Sequence, residues 1–135
     1  NSITFSRAFT VITDQRTILA DKVVISAGMW SAGLLGEPFD RLLRVCRQKL
    51  FWFELEEGAG LPGVTVCTYT VTPDSHFIID EHPTLKNTLV VSACSGHGFK
   101  HSVALGEAFA QWCIRGRSEL DLSAFSLKRF EKAMG

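Results

Sequence analysis

Three short segments of the sequence carry side chains that can do chemistry, and the richest is Ser95-Gly96-His97-Gly98-Phe99-Lys100. It lies between an apolar run and a helix pattern, which predicts a strand-to-helix turn. The start of a helix presents unpaired N–H groups that suit an anion, and glycine lets the backbone approach a planar ligand. Lys100 adds a positive charge at the same end. The alternative, which the pattern alone favours, is a tight connection with a solvated lysine.

The second segment is Cys67-Thr68-Tyr69-Thr70-Val71-Thr72-Pro73-Asp74, with His76 close by. Its thiol can serve as a nucleophile, but a cysteine taken alone is more often a small buried hydrophobe. The third segment is Val24-Ile25-Ser26-Ala27-Gly28-Met29-Trp30. By itself it predicts only a buried strand that ends in a glycine.

The histidines and cysteines argue against a metal site. His97 and His101 are four positions apart and could share a helix face, but Gly98 lies between them and no acidic ligand is near. The four cysteines are too far apart for CxxC pairs and too few for a disulfide scaffold, which favours a reducing compartment. Neither a GxSxG motif nor a Walker loop occurs.

Composition limits the kind of partner. The 135 residues suit one domain, and 14 basic side chains balance 14 acidic ones. A net charge of zero offers no electrostatic footprint for nucleic acid or an anionic membrane, so a small-molecule partner is expected. No apolar run is as long as a membrane-spanning helix, the first residues do not resemble a signal peptide, and we expect a cytoplasmic protein. Because an initiator methionine is lacking, the natural start is expected upstream.

Apolar runs and turn residues predict several strands and one long helix. Strands are expected at residues 9–13, 17–20, 22–27, 50–54, 64–69, 77–80 and 88–93, with the first two forming a hairpin. The runs at 22–27 and 88–93 do not alternate, which is typical of strands covered on both faces. Residues 30–35 predict a helical turn, and the long helix ends at Gly116. Its expected apolar stripe is Val103, Leu105, Phe109, Trp112 and Cys113, and the tail is anchored by Phe125, Leu127 and Phe130.

Taken together and in order, these segments resemble the monomeric sarcosine oxidase and N-methyltryptophan oxidase family, within the D-amino-acid and glycine oxidase superfamily. The matching stretches are residues 24–31, 67–80 and 95–100, and the tail at 121–130 also resembles the family's C-terminal segment. The second and third are specific, whereas many flavoproteins share the first. The resemblance covers nearly the whole chain. It implies an α/β fold, with α+β as the alternative: a partial FAD-binding oxidoreductase fold with a remnant of a mixed-sheet substrate domain.

The resemblance also implies roles for the matching residues. Cys67 occupies the position at which the family attaches FAD through a thioether, and Tyr69 falls near the flavin. Gly28 and Trp30 match a strand end that passes the cofactor. The segment along the flavin comprises Gly96, His97, Gly98, Phe99 and Lys100, with the helix N-terminus toward the edge where reduction places negative charge. Lys100 matches the lysine that binds the substrate carboxylate, and the catalytic candidates are Lys100, Tyr69 and His97.

The implied reaction is the oxidation of a secondary amine, an N-methyl amino acid, to an imine while O2 is reduced to H2O2. The resemblance is partial, because the chain lacks the strand–turn–helix in which the family's pyrophosphate-binding GxGxxG motif lies; the glycines at 58–63 do not follow a strand–helix pattern that would replace it. The chain also passes from a strand near residues 47–53 directly to the Cys67 motif. We expect a single domain over residues 1–135. Within it, residues 1–36 and 88–135 are flavin-domain segments, and residues 44–80 are a substrate-domain remnant with a junction near 58–63.

Such a chain is expected to bind FAD weakly when it is alone. Two alternatives remain at this point. The chain is a truncated, cofactor-free remnant that acts as a small structural or interaction domain, or a partner chain supplies the missing half of the flavin domain.

Overall fold

The computed structural model describes residues 9–50 and 65–131, which mix strands and helices as an α/β fold does. The strands are β1 (Phe9–Ile12), β2 (Thr17–Ala20), β3 (Val23–Ile25), β4 (Arg44–Leu50), β5 (Thr65–Val71), β6 (Ile78–Glu81) and β7 (Thr88–Ser92). The α-helices are α1 (Ser31–Leu35), α2 (Phe39–Leu42) and α3 (Ser102–Arg115). Four 3-10 helices cover Gly28–Trp30, Phe99–His101, Ser123–Phe125 and Leu127–Phe130. Residues 51–64, with the rest of the strand predicted at 50–54 and the junction at 58–63, lie outside the described residues.

The central sheet has the order β3-β7-β6, in which β7 runs parallel to β3 and antiparallel to β6. All five residues of β7 are buried, as its unbroken apolar run predicts. Since neighbouring side chains on a strand point to opposite faces, β6 and β7 supply two separate core clusters. Ile78 and Val90 pack with residues of α2 and the tail, namely Phe39, Leu42, Leu127 and Phe130. On the other face, Ile79, Leu89 and Val91 pack with Leu105 and Trp112 of α3.

The prediction that β3 is covered on both faces is wrong. Its outer two residues are half-buried and Val24 is 37% exposed. Within the described residues, β3 pairs with β7 on one side only, so it forms the edge of this sheet. An apolar run can therefore mark a strand without showing that both of its faces are packed.

Helix α3 presents a narrower apolar face than the sequence predicts. Leu105, Ala108 and Trp112 are buried at helical spacing, and Phe109 is half-buried. Val103 and Cys113 are exposed, so their assignment to the buried stripe is wrong. Around the helix axis, Val103 is about half a turn from Leu105 and Cys113 is about 100° from Trp112. Both side chains therefore lie outside the buried face. The helix ends at Gly116, as predicted, and this residue has the left-handed conformation.

The remaining strands form two antiparallel pairs. The predicted hairpin is confirmed, with Phe9 opposite Ala20 and Ile12 opposite Thr17. Strands β4 and β5 pair along their whole length, from Arg44 opposite Val71 to Leu50 opposite Thr65. β4 begins six residues before the strand predicted at residue 50. The prediction relied on apolar runs, and the charged residues Arg44, Arg47 and Lys49 interrupt the apolar pattern of this strand.

In residues 9–50 and 65–131, no helix has the length and apolar character needed to cross a membrane.

Candidate functional site

Strand β5 brings the three motif segments together. Thr68 Oγ1 lies 3.0 Å from Met29 Sδ, so the Gly28–Trp30 helix packs against the strand. Next along the strand, the Tyr69 ring faces Gly96: a Cβ built on that glycine would lie 3.6 Å from Tyr69 Cε2. The carbonyl oxygen of Thr70 then accepts a hydrogen bond from the Ser95 backbone N–H at 2.8 Å. Segments separated by dozens of residues in the sequence therefore converge on three consecutive positions.

The buried hydroxyl groups of Thr70 and Ser92, 3.2 Å apart, join the carboxyl ends of β5 and β7. Residues 93–98 leave β7 at this point and lead into the 3-10 helix Phe99–His101, which continues into α3. Two glycines are required there. Gly96 has a φ of +79°, which L side chains rarely adopt, and a Cβ on Gly98 would lie 1.7 Å from the Ala93 carbonyl oxygen. The turn therefore fixes where the helix begins.

The candidate ligand-binding side chains are exposed around this turn. Phe99 is 93% exposed and Trp30 is 71% exposed, and the side chains of Cys67 and Lys100 are exposed as well. Cys67 lies two residues before Tyr69 and so projects from the same face of β5. The N-terminal residue that would cap the 3-10 helix is Gly98, which has no side chain to accept from its N–H groups. A thiol and a cation are therefore exposed around a helix start that no side chain caps.

His97 is held by the loop that follows β5. Its ring Nε2 lies 3.1 Å from the Ser75 carbonyl oxygen, and its ring stacks on Phe77 with centroids 4.9 Å apart. His101 meets the same Phe77 ring edge-on at 5.5 Å. Both histidines are exposed, and each has one ring contact with Phe77. In the part of the chain that the structure describes, no group of His, Cys, Asp or Glu side chains has a metal-binding arrangement.

Asp74, in the same loop, forms an ion pair with Arg129 of the tail at 2.7 Å. The hydrogen bond from Arg129 holds the pKa of Asp74 well below its ordinary value, and hydrogen bonds from His76 N and Thr72 Oγ1 act in the same direction against the effect of burial. Arg129 is a functional candidate that sequence reasoning missed. The pair spans 55 positions, and the tail motif alone does not indicate which acidic residue it meets.

The candidate residues surround an open surface. Grooves of about 620, 580 and 320 Å³ are found among the described residues, and Cys67, Tyr69 and residues 96–100 line none of these three. The groove of about 620 Å³ lies between β6, α3 and the tail, and the groove of about 580 Å³ lies beside His82. The structure thus places Gly28, Trp30, Tyr69 and Gly96 on segments that meet at β5. It shows no direct contact between Cys67 and Lys100 among the described residues.

No family model matches the chain, but individual known proteins do. Over 76 residues it is 49% identical to the monomeric sarcosine oxidase of Bacillus sp. (strain NS-129), covering 56% of this chain and 18% of that protein. The monomeric sarcosine oxidase of Arthrobacter sp. (strain TE1826) is 45% identical over 76 residues, covering 51% and 20%. The N-methyl-L-tryptophan oxidase of Yersinia pestis (strain Pestoides F) is 49% identical over 76 residues, covering 52% and 20%.

The chain spans about a fifth of the length of the curated relatives that it matches. Identity of 45–49% over 76 residues is nevertheless far above what unrelated sequences share. The resemblance read from the motifs is confirmed, and the chain is a partial member of the monomeric sarcosine oxidase and N-methyl-L-tryptophan oxidase family.

Proposed function

We propose that this chain forms the part of a flavin-dependent amine oxidase that holds the flavin ring and the substrate carboxylate. The observation that carries the proposal is the convergence on β5, where the Gly28–Trp30 helix, Tyr69 and Gly96 meet. The names of the matched relatives support an oxidase acting on sarcosine or a related N-methyl amino acid.

The residues present fit a flavin. The Tyr69 ring packs against Gly96, and exposed Trp30 and Phe99 add aromatic surface on which a flat ring could stack. Cys67 has an accessible thiol, which a thioether requires. When bound, FAD would supply the two-electron acceptor for oxidation of the amine and return the electrons to O2.

The chain's own residues would orient the reacting groups. The uncapped N–H groups at the start of the Phe99–His101 helix would stabilise negative charge on a ring placed against them. Lys100, exposed in the same turn, would bind the substrate carboxylate as a point charge. Tyr69 would pack beside the ring, and His97, tied to Ser75, would present a fixed imidazole at the site.

A thiol-protection experiment tests the proposal and includes a matched control. Cys67 and Cys113 are both exposed, but only Cys67 lies on β5. Iodoacetamide alkylation of each thiol is followed by peptide mass spectrometry with and without millimolar FAD. We expect FAD to slow alkylation of Cys67 and to leave Cys113 unchanged, because only Cys67 lies beside the proposed ring position. Equal rates with and without FAD, or equal slowing of both thiols, would contradict the proposal.

Covalent attachment has a separate readout. Any flavin absorbance that stays with the acid-denatured and filtered protein should disappear in Cys67→Ser and persist in Cys113→Ser. Absorbance that passes into the filtrate would show that the flavin is not covalently bound and that Cys67 has another role. A chain that protects neither thiol and retains no flavin would favour the alternative, a small cofactor-free structural or interaction domain.

A further inference from the structure

One arginine of the tail ties together both ends of the loop at residues 74–77. Arg129 Nε and Nη2 donate to the two carboxylate oxygens of Asp74 at 2.7 and 3.3 Å. Nη2 also donates to the Phe77 carbonyl oxygen at 2.6 Å, and Nη1 donates to the Ser126 carbonyl oxygen at 2.9 Å. The guanidinium lies 4.2 Å from the centroid of the Phe130 ring. A planar fork with these four acceptors has little freedom to move.

The same loop supplies the contacts that orient His97. Ser75 lies between the two ends that Arg129 holds, and its carbonyl oxygen accepts from His97 Nε2. A carbonyl oxygen can only accept, so neutral His97 carries its proton on Nε2. Phe77, at the other end of the loop, provides the ring on which His97 stacks. The orientation of His97 thus depends on a loop that the tail fixes in place.

We propose that the Asp74–Arg129 pair is a latch that positions His97. Asp74 and Arg129 are positioning residues, since they act through Ser75 and Phe77 rather than by touching a ligand. The side chains of the pair are 33% and 21% exposed, so salt screens their attraction less than it screens a surface pair. A role of the Asp74–Arg129 pair in catalysis rests on the proposed function. Its effect on the His97 ring does not.

The test reads the His97 ring protons by NMR in the flavin-free 135-residue chain. The Phe77 ring, stacked at 30° to His97, should shift these protons upfield. Asp74→Asn removes the charge at nearly constant volume, and Arg129→Gln removes the fork. We expect both variants to move the His97 ring protons downfield, toward the position of a histidine that does not stack on an aromatic ring. Lys128→Gln is the matched control, because Lys128 is exposed and adjacent to Arg129, and it should leave them in place.

A second signal separates positioning from folding. The Trp112 indole N–H donates to Glu81 Oε1 at 3.1 Å and reports on the packing of α3. The latch is supported if His97 moves in Asp74→Asn and Arg129→Gln while Trp112 does not, and if Arg129→Lys gives an intermediate shift. Unchanged His97 protons would overturn it. So would joint movement of His97 and Trp112 in both variants, since the pair would then hold the whole fold. Neither result depends on whether the chain binds FAD.

Discussion

Gly98 is the position at which local geometry leaves the least freedom. In Gly98→Ala the new Cβ would meet the Ala93 carbonyl oxygen, a backbone atom that cannot rotate away. Overpacking costs about 1–3 kcal/mol even where side chains can shift, so we expect a loss of about 3 kcal/mol or more in the free energy of unfolding. Urea denaturation measures this loss. Gly106→Ala on α3 is the control: a Cβ there meets nothing within 4 Å, and we expect it to stabilise the helix by up to about 1 kcal/mol.

We expect His82 to make the fold sensitive to mild acid. Its Nδ1 accepts from Thr84 N and Leu85 N, which leaves the proton on Nε2, a buried atom without a partner among the described residues. Burial lowers the pKa of His82, so the unfolded chain binds a proton more readily than the folded one. Its contribution to stability is therefore full above the ordinary pKa of about 6.5 and is lost as the pH falls below that value.

The prediction is that His82→Asn removes this loss. Its amide oxygen can still accept from the two N–H groups but cannot be protonated at mild pH. Chemical denaturation between about pH 7.5 and 5 should show a shallower decline for the variant than for the unmodified chain. His76→Asn, at an exposed position, serves as the control. Parallel declines in the unmodified chain and His82→Asn would contradict the prediction.

The sequence could indicate which residue types belong to the site, because the motif residues lie close together within each segment. The partners that fix them could not be predicted in this way. The turn at Gly98 follows from a glycine after a strand, but the atom that requires the glycine, Ala93 O, is known only from the structure. Likewise, nothing local to Asp74 indicates Arg129, since side-chain pairs of long separation leave no periodic signal.

At the scale of elements, Lys22 links the start of β3 to the end of α3. Its Nζ donates to the carbonyl oxygens of Trp112 and Cys113 at 3.2 and 2.6 Å and lies 5.3 Å from the centroid of the Trp112 ring. A cation at a helix C-terminus satisfies unpaired carbonyl groups and opposes the negative end of the helix dipole. This contact spans 90 positions, so the helix and its stop at Gly116 were predictable but its cap was not.

Replacing Lys22 should therefore weaken α3 from its C-terminal end. For Lys22→Met we expect a loss of about 1–2 kcal/mol in stability, because a charged hydrogen bond to each carbonyl group is removed while most of the side-chain volume is kept. Amide hydrogen exchange should rise first in the last turn, at Gly116 N, which donates to Trp112 O. Lys86→Met, at an exposed lysine, should change neither quantity. Faster exchange spread evenly along α3 would argue against a terminal cap.

The whole described structure has a packed interior and an unprotected candidate site. The two faces of the β3-β7-β6 sheet hold the core clusters, whereas the surface around Cys67 and Lys100 lines none of the three grooves. Binding sites for ligands of this size normally bury about 70–90% of the ligand surface in a concave pocket. The described residues of this face, with Phe99 93% exposed and Trp30 71% exposed, do not enclose FAD to that extent. The described residues of the candidate site therefore supply reactive groups without the concave pocket that would enclose a ligand.

This mismatch predicts weak binding of FAD by the 135-residue chain. We expect a dissociation constant above about 1 µM, equivalent to less than about 8 kcal/mol of binding free energy, because few contacts offset the lost freedom of the ligand. Titration calorimetry with FAD measures it, and the same chain unfolded in urea gives the background. A submicromolar constant for the folded chain would contradict the prediction and would mean that residues outside the described ranges, or a second copy of the chain, complete the pocket. A weak constant with selective protection of Cys67 would show that the chain carries the reactive surface of the site without its enclosure.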